Sequence, residues 1–221
     1  MIQNRAETTS RALKGKRTWI LLALLYLTFF FWYTPWGGPV TEDEIKTFER
    51  TLTEAGWEAK GLNNWLEFLR TDTGNDFAMI NVLDFRELAA PAPGLPPGIS
   101  GSEAMSFYTE PFLSKALLSA AHPVFMGTAA SPALDLWGID DAHHWDQGAL
   151  VRYRSRRDVM HQVMGLSEMA QNGDPIHAYK IAALEKTIAY PLDPWFNPAD
   201  PRFVLALLAL IIGLAKRRVS A

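Results

Sequence analysis

The chain contains no cysteine. That absence excludes disulfides, thiolate catalysis and cysteine-ligated metals or clusters, so any folded domain must stand on its apolar core. The nucleotide and hydrolase signatures G-x-G-x-x-G, P-loop, H-E-x-x-H and G-x-S-x-G are also missing. Nucleotide-cofactor enzymes and serine hydrolases are therefore disfavoured. No net positive charge surrounds the middle of the chain either. The total is −3, yet basic residues gather at both ends (Arg5, Arg11, Lys14, Lys16, Arg17; Lys216, Arg217, Arg218), which leaves the middle acidic. An acidic middle argues against nucleic acid as its partner.

What is present is apolar material: 48% hydrophobic residues, with eight Trp and twelve Phe. Two runs abut the basic ends, Trp19–Tyr33 and Phe203–Ala215. A helix over 18–36 would span about 28 Å, close to the hydrocarbon core of about 30 Å. Trp19, Trp32, Tyr33 and Trp36 sit where aromatic belts belong. The bulky exit around Tyr33 favours an uncleaved anchor over a signal peptide. Residues 203–215 give about 20 Å of helix, extended by snorkelling of Lys216 and Arg217. The alternative for that run is a buried or interfacial helix. The pattern predicts a two-span membrane protein, meeting membrane lipid, in a bacterial inner membrane. Both termini are cytoplasmic and the central domain is extracytoplasmic.

The predicted organisation is a basic tail (1–17), a transmembrane helix (18–36) and a helical pre-domain segment (37–75). A domain (76–192), a Pro-rich linker (193–202), a second transmembrane helix (203–215) and a basic tail (216–221) complete it. Thr41 and Glu44 form a capping-box pattern before a helix over 42–55. Strands are predicted at 77–83, 124–128, 148–155 and 177–188, with helices over 102–121 and 156–165. The order β-α-β-β-α-β is the split βαβ unit of an α+β, ferredoxin-like fold. One sheet face would remain apolar and uncovered, so a homodimer is expected.

Some segments carry a resemblance. A strand ends R-Y-R-S-R (Arg152–Arg156) and a helix opens at Arg157-Asp158. A last segment runs from His177 through Ala183-Leu184 to Thr187. Together they resemble the DUF1330-type dimeric α/β-barrel proteins over about residues 76–192. The resemblance implies a ferredoxin-like domain whose sheets pair face to face, and it implies no secure activity. The added apolar ends and the insert around Leu134–Trp145 depart from it.

Candidate chemistry is sparse. Asp140-Asp141-Ala142-His143-His144-Trp145-Asp146 suits divalent-cation binding, general-base work by one imidazole, or a solvated loop. An extended backbone points His143 and His144 to opposite faces, so no metal site is assigned. Arg152 and Arg154 share a strand face and suit either anion gripping or ion pairing. His177 suits a structural hydrogen bond or a catalytic role. Glu185 joins Arg152 and Arg154 as a ligand-binding candidate; if it faces the sheet it needs a cationic partner, such as an arginine of the 148–155 strand.

The function expected from these features is interaction or small-ligand binding by the extracytoplasmic barrel, without a cofactor. Small-molecule binding within the barrel is one possible partnership. The alternative is a cofactor-free barrel enzyme, monooxygenase- or isomerase-like, with His143, His144, His177 and Arg152 as its catalytic candidates. A haem-binding barrel is a third reading, and it needs an axial histidine facing a roomy cavity.

Overall fold

The computed structural model describes residues 2–220, with side chains described from residue 16 to residue 216. In chain order the elements are α1 (Ile2–Tyr33), α2 (Glu42–Glu54), α3 (Ala59–Arg70), β1 (Phe77–Phe85), α4 (Gly101–Leu118) and β2 (His122–Thr128). Then come β3 (Gln147–Tyr153), α5 (Arg156–Gln171), α6 (Ile176–Ala183), β4 (Leu184–Leu192) and α7 (Pro201–Ser220). The chain divides into two compact units, Met1–Thr34 with Trp195–Ala221, and Pro35–Pro194.

In the first unit, α1 and α7 pack side by side. Gly213 is buried, and a Cβ there would overlap the Trp19 indole, so the close approach requires glycine. Asp200 holds the Arg202 guanidinium at 2.6 Å, and that guanidinium lies 5.5 Å from the centre of the Tyr33 ring. Among the described residues, no helix is long and apolar enough to cross a membrane. This corrects the predicted transmembrane helices and the two-span topology. It also removes the membrane localisation built on them, with cytoplasmic termini and an extracytoplasmic domain. The physical reason lies in the helix ends. α1 stops at Tyr33, ahead of Pro35, so the expected run to Trp36 is not one helix. Beyond Arg17 the helix extends about 24 Å, short of a core of about 30 Å. The side chains of Arg5, Arg11, Lys14, Arg217 and Arg218 lie outside the described ones.

The second unit is built on a four-stranded antiparallel sheet of order β2-β3-β1-β4. The predicted α+β class agrees with this sheet, whereas the two membrane helices predicted to flank the ferredoxin-like barrel domain are corrected. The chain has, among the described residues, seven helices, none able to span. β1 lies centrally, running from Phe77↔Tyr153 to Leu83↔Gln147 against β3 and from Ala78↔Leu192 onward against β4. Because side chains alternate across a strand, Phe77, Met79, Val151 and Tyr153 share the helix-covered face. Phe77 and Tyr153 stack there at 5.1 Å. The opposite face carries Ile80, Val82, Leu150, Phe125, Ile188, Tyr190 and Leu192. Phe125 is 65% exposed and Tyr190 45%, so that face is apolar and open.

Local chemistry explains the helices. Thr41 and Glu44 form a full capping box at α2, and Ser100 and Glu103 form another at α4. Ile45, Phe48 and Leu52 on α2 bury against Leu62, Leu66 and Leu69 on α3. The predicted last strand is corrected in its first half, since residues 177–183 belong to α6 and only then does β4 begin. Asp174 accepts the Ile176 N–H at 3.1 Å and opens the helix. Ala182 and Ala183 then lie close against α4, where a side chain at Gly101 would overlap the Ala183 carbonyl.

Arg156 ties these parts together. Its guanidinium lies 4.4 Å from the centre of the Phe68 ring. It donates to the Phe68 carbonyl and to Thr71 Oγ1. It also pairs with Asp72 at 3.6 Å and Asp193 at 3.3 Å. Replacing it with methionine, Arg156→Met, leaves the buried Asp72 carboxylate without its cation. We expect a loss of about 3 kcal/mol in urea unfolding. A loss below about 1 kcal/mol would show that the network is dispensable.

The Arg157 guanidinium, 2.6 Å away, holds the Glu44 carboxyl down at about 2. A depressed carboxylate stabilises the fold above its unfolded pKa, and that contribution is lost as the pH falls. The stability difference between wild type and Glu44→Gln should therefore shrink on acidification from about 4.5 to about 2. Denaturant melts across that range check it, and a constant difference would contradict the coupling.

Candidate functional site

Beneath the helix-covered face lies a cavity of about 630 Å³. Trp57, Trp65 and Phe68 form one wall, and Val163, Leu166 and Ala170 of α5 form another. Met79 of β1 with Ala189 and Pro191 of β4 makes the floor. The arrangement follows from sequence spacing. Asn64, Trp65 and Phe68 share one face of α3, and Val163, Leu166, Ser167 and Ala170 share one face of α5, each at i, i+3 or i+4 separation. A mostly apolar cavity with a few converging polar groups is the usual form of a small-molecule site.

The polar groups come chiefly from α6 and α4. His177 and Lys180 stand one turn apart on α6, and both line the cavity with Tyr108 of α4. The Lys180 ammonium sits 5.6 Å from the centre of the Tyr108 ring. Burial among apolar groups lowers the Lys180 pKa below the usual lysine range. Burial also pushes the Tyr108 phenol up to about 12 and raises that of Tyr153, with Tyr108 adding to the effect. The His177 imidazole is lowered first by burial and second by the Lys180 charge. Its ring lies nearly parallel to the Trp57 indole at 6.4 Å. An apolar slot with one cation on its wall can take a flat organic anion, or present an amine to a carbonyl compound.

Of the residues singled out from the sequence, His177 alone lines this cavity. Arg152 is buried, pairs with Asp76 at 2.9 Å and donates to the Ala120 carbonyl at 3.0 Å. Arg154 pairs with Asp158 at 2.7 Å, beside the Ser155 cap of α5. Glu185 is exposed and meets Arg86 at 2.5 Å, not an arginine of β3. His143 is exposed in the 129–146 loop, where its carbonyl accepts the Ala133 N–H at 2.9 Å. His144 turns from that loop onto the end of β1, 2.7 Å from Asp84. Lys180 and Tyr108 escaped sequence reasoning. Their signal was present only once residues 176–183 are read as a helix, because helical spacing sets His177 and Lys180 on one face.

No protein-family model matches the chain. No curated protein matches it either. Among solved structures it is similar to the methylated RPA0582 protein, at 22% identity and a TM-score of 0.47, over 62% of this chain and 93% of that one. It is likewise similar to the RPA0582 protein of unknown function from Rhodopseudomonas palustris, at 22% identity and a TM-score of 0.46, over 61% and 94%. The DUF1330 resemblance finds no family match among these comparisons.

Proposed function

We propose that the 35–194 unit binds a small, planar organic acid in the cavity under its sheet. One observation carries this reading. Lys180 projects an ammonium into an apolar cavity, and among the described residues no carboxylate pairs with it. A half-buried cation without a counter-charge is only partly hydrated, which is costly. A ligand carboxylate would supply the counter-charge while Trp57, Trp65 and Phe68 cover an aromatic body. The kinship with DUF1330-type proteins, drawn from Arg152–Asp158 and His177–Thr187, belongs to the same proposal and adds no substrate to it.

The test compares 2-naphthoate with the neutral 2-naphthalenemethanol by calorimetry on the full chain. The acid should bind about tenfold more tightly, since a charged hydrogen bond contributes about 1.5–3 kcal/mol. Lys180→Met should abolish the preference and spare the alcohol. The preference should also fade as the pH rises through the lowered Lys180 pKa, because the neutral amine no longer attracts the carboxylate. Equal affinity for both compounds would refute the role of Lys180.

A second observation favours a homodimer through the open sheet face. Its apolar centre is bordered at one end by both signs of charge, Asp84 with Lys186 and Glu185 with Arg86. Such a border suits isologous pairing with a second copy. Four strands and seven residues of register give about 450 Å², against about 800 Å² per partner in a stable interface. The exposed loop side chains Leu134, Trp137 and Ile139 can supply the remainder. Sedimentation of the full chain at micromolar concentration should give a dimer, and Tyr190→Glu should give a monomer. A wild-type monomer would contradict the pairing.

A further inference from the structure

The 129–146 loop is fastened to the sheet at one cluster. Asp84, on β1, is buried, and its Oδ1 lies 2.7 Å from His144 Nδ1. His144 Nε2 lies 3.9 Å from Asp146 Oδ1. Asp146 is fixed by its backbone, donating from its N–H to the Leu83 carbonyl at 2.9 Å and accepting from Ala129 at 2.8 Å. Its Oδ2 accepts the Phe85 N–H at 2.6 Å, which leaves Oδ1 directed at His144. One ligand atom from each of Asp84, His144 and Asp146 lies within 4.8 Å of the others.

The cluster already attracts a cation. Lys186 Nζ stands 3.4 Å from Asp84 Oδ2. It also donates to the Asp141 carbonyl at 2.5 Å and lies 5.3 Å from the centre of the Trp145 ring. Two carboxylates, Asp84 and Asp141, thus face this ammonium. Lys186 occupies Oδ2 of Asp84 and leaves Oδ1 to His144. The 2.7 Å between that oxygen and Nδ1 is close to the roughly 3 Å between neighbouring donors on an ion with bonds of about 2.1 Å. An imidazole with two carboxylates selects a first-row divalent ion over magnesium or calcium.

We propose that Asp84, His144 and Asp146 form a binding site for a divalent first-row transition ion such as zinc, cobalt or manganese. A single ring nitrogen of the neutral His144 imidazole binds the ion with one carboxylate oxygen each from Asp84 and Asp146, and the Asp84–His144 hydrogen bond is given up. Bound there, it cross-links the 129–146 loop to β1. With His144 65% exposed, water can complete the coordination shell. His143 plays no part, so the histidine pair does not act as a chelate. The site is independent of the Lys180 cavity.

The test uses the full chain, with Zn²⁺ in calorimetry and Co²⁺ in visible absorption. One ion per chain should bind saturably, with Co²⁺ bands shifted from those of the aqueous ion. His144→Gln and Asp146→Asn should each weaken binding at least about tenfold. Lys186→Met should tighten it by removing the competing ammonium, while His143→Gln and Lys180→Met should leave it unchanged. Circular dichroism confirms that each variant is folded. Absence of saturable binding, unchanged affinity in His144→Gln, or an equal loss in His143→Gln would overturn the proposal.

Discussion

The Arg156 guanidinium is the constraint on which the arrangement of the 35–194 unit depends. From the first turn of α5 it reaches the C-terminal end of α3 through Phe68 and Thr71, the turn beyond through Asp72, and the end of β4 through Asp193. Each contact alone is modest. Together they satisfy a buried charge from several sides, which is the condition under which burying one is tolerable. The Phe68 ring under that charge packs on Phe77 at 5.1 Å and on Trp65 at 5.8 Å. The polar network and the aromatic core therefore meet at one residue.

The cavity follows from that junction. Fixing α3 and α5 at Phe68 sets the separation of the two walls, and β1 with β4 closes the floor. α6 then brings Lys180 into a space whose other groups are apolar or weakly polar. Desolvation lowers the lysine's pKa, while the Tyr108 ring offers a partial offset through its π-face. A cation–π contact contributes about 0.5–2 kcal/mol, less than a carboxylate partner would. The site thus lacks a counter-charge among the described residues, which is what a ligand anion would supply in the function proposed above.

The sequence revealed local structure better than it revealed the site. Thr41 with Glu44, the apolar stripe of α2 and the apolar run of β1 are short-range signals, and the structure forms each of them. Residues 177–183 misled because an apolar, Ala-rich stretch next to a strand fits either period. Read as a strand, His177 and Lys180 fall on opposite faces. As a helix they share one face, and the cavity acquires its cation. The Asp84–His144 contact joins residues 60 positions apart, and no spacing rule announces such a pair. The ends misled for a different reason. Run length was read as a membrane span, but the helix boundary at Tyr33 cuts the usable length.

The most direct measurement is the titration of the Lys180 ammonium itself, by nitrogen-detected NMR of the ¹⁵N-lysine-labelled chain with Lys180→Arg for assignment. The account predicts a pKa below the usual lysine range in the free protein, rising when 2-naphthoate is added. An ordinary lysine pKa that naphthoate leaves unchanged would contradict it.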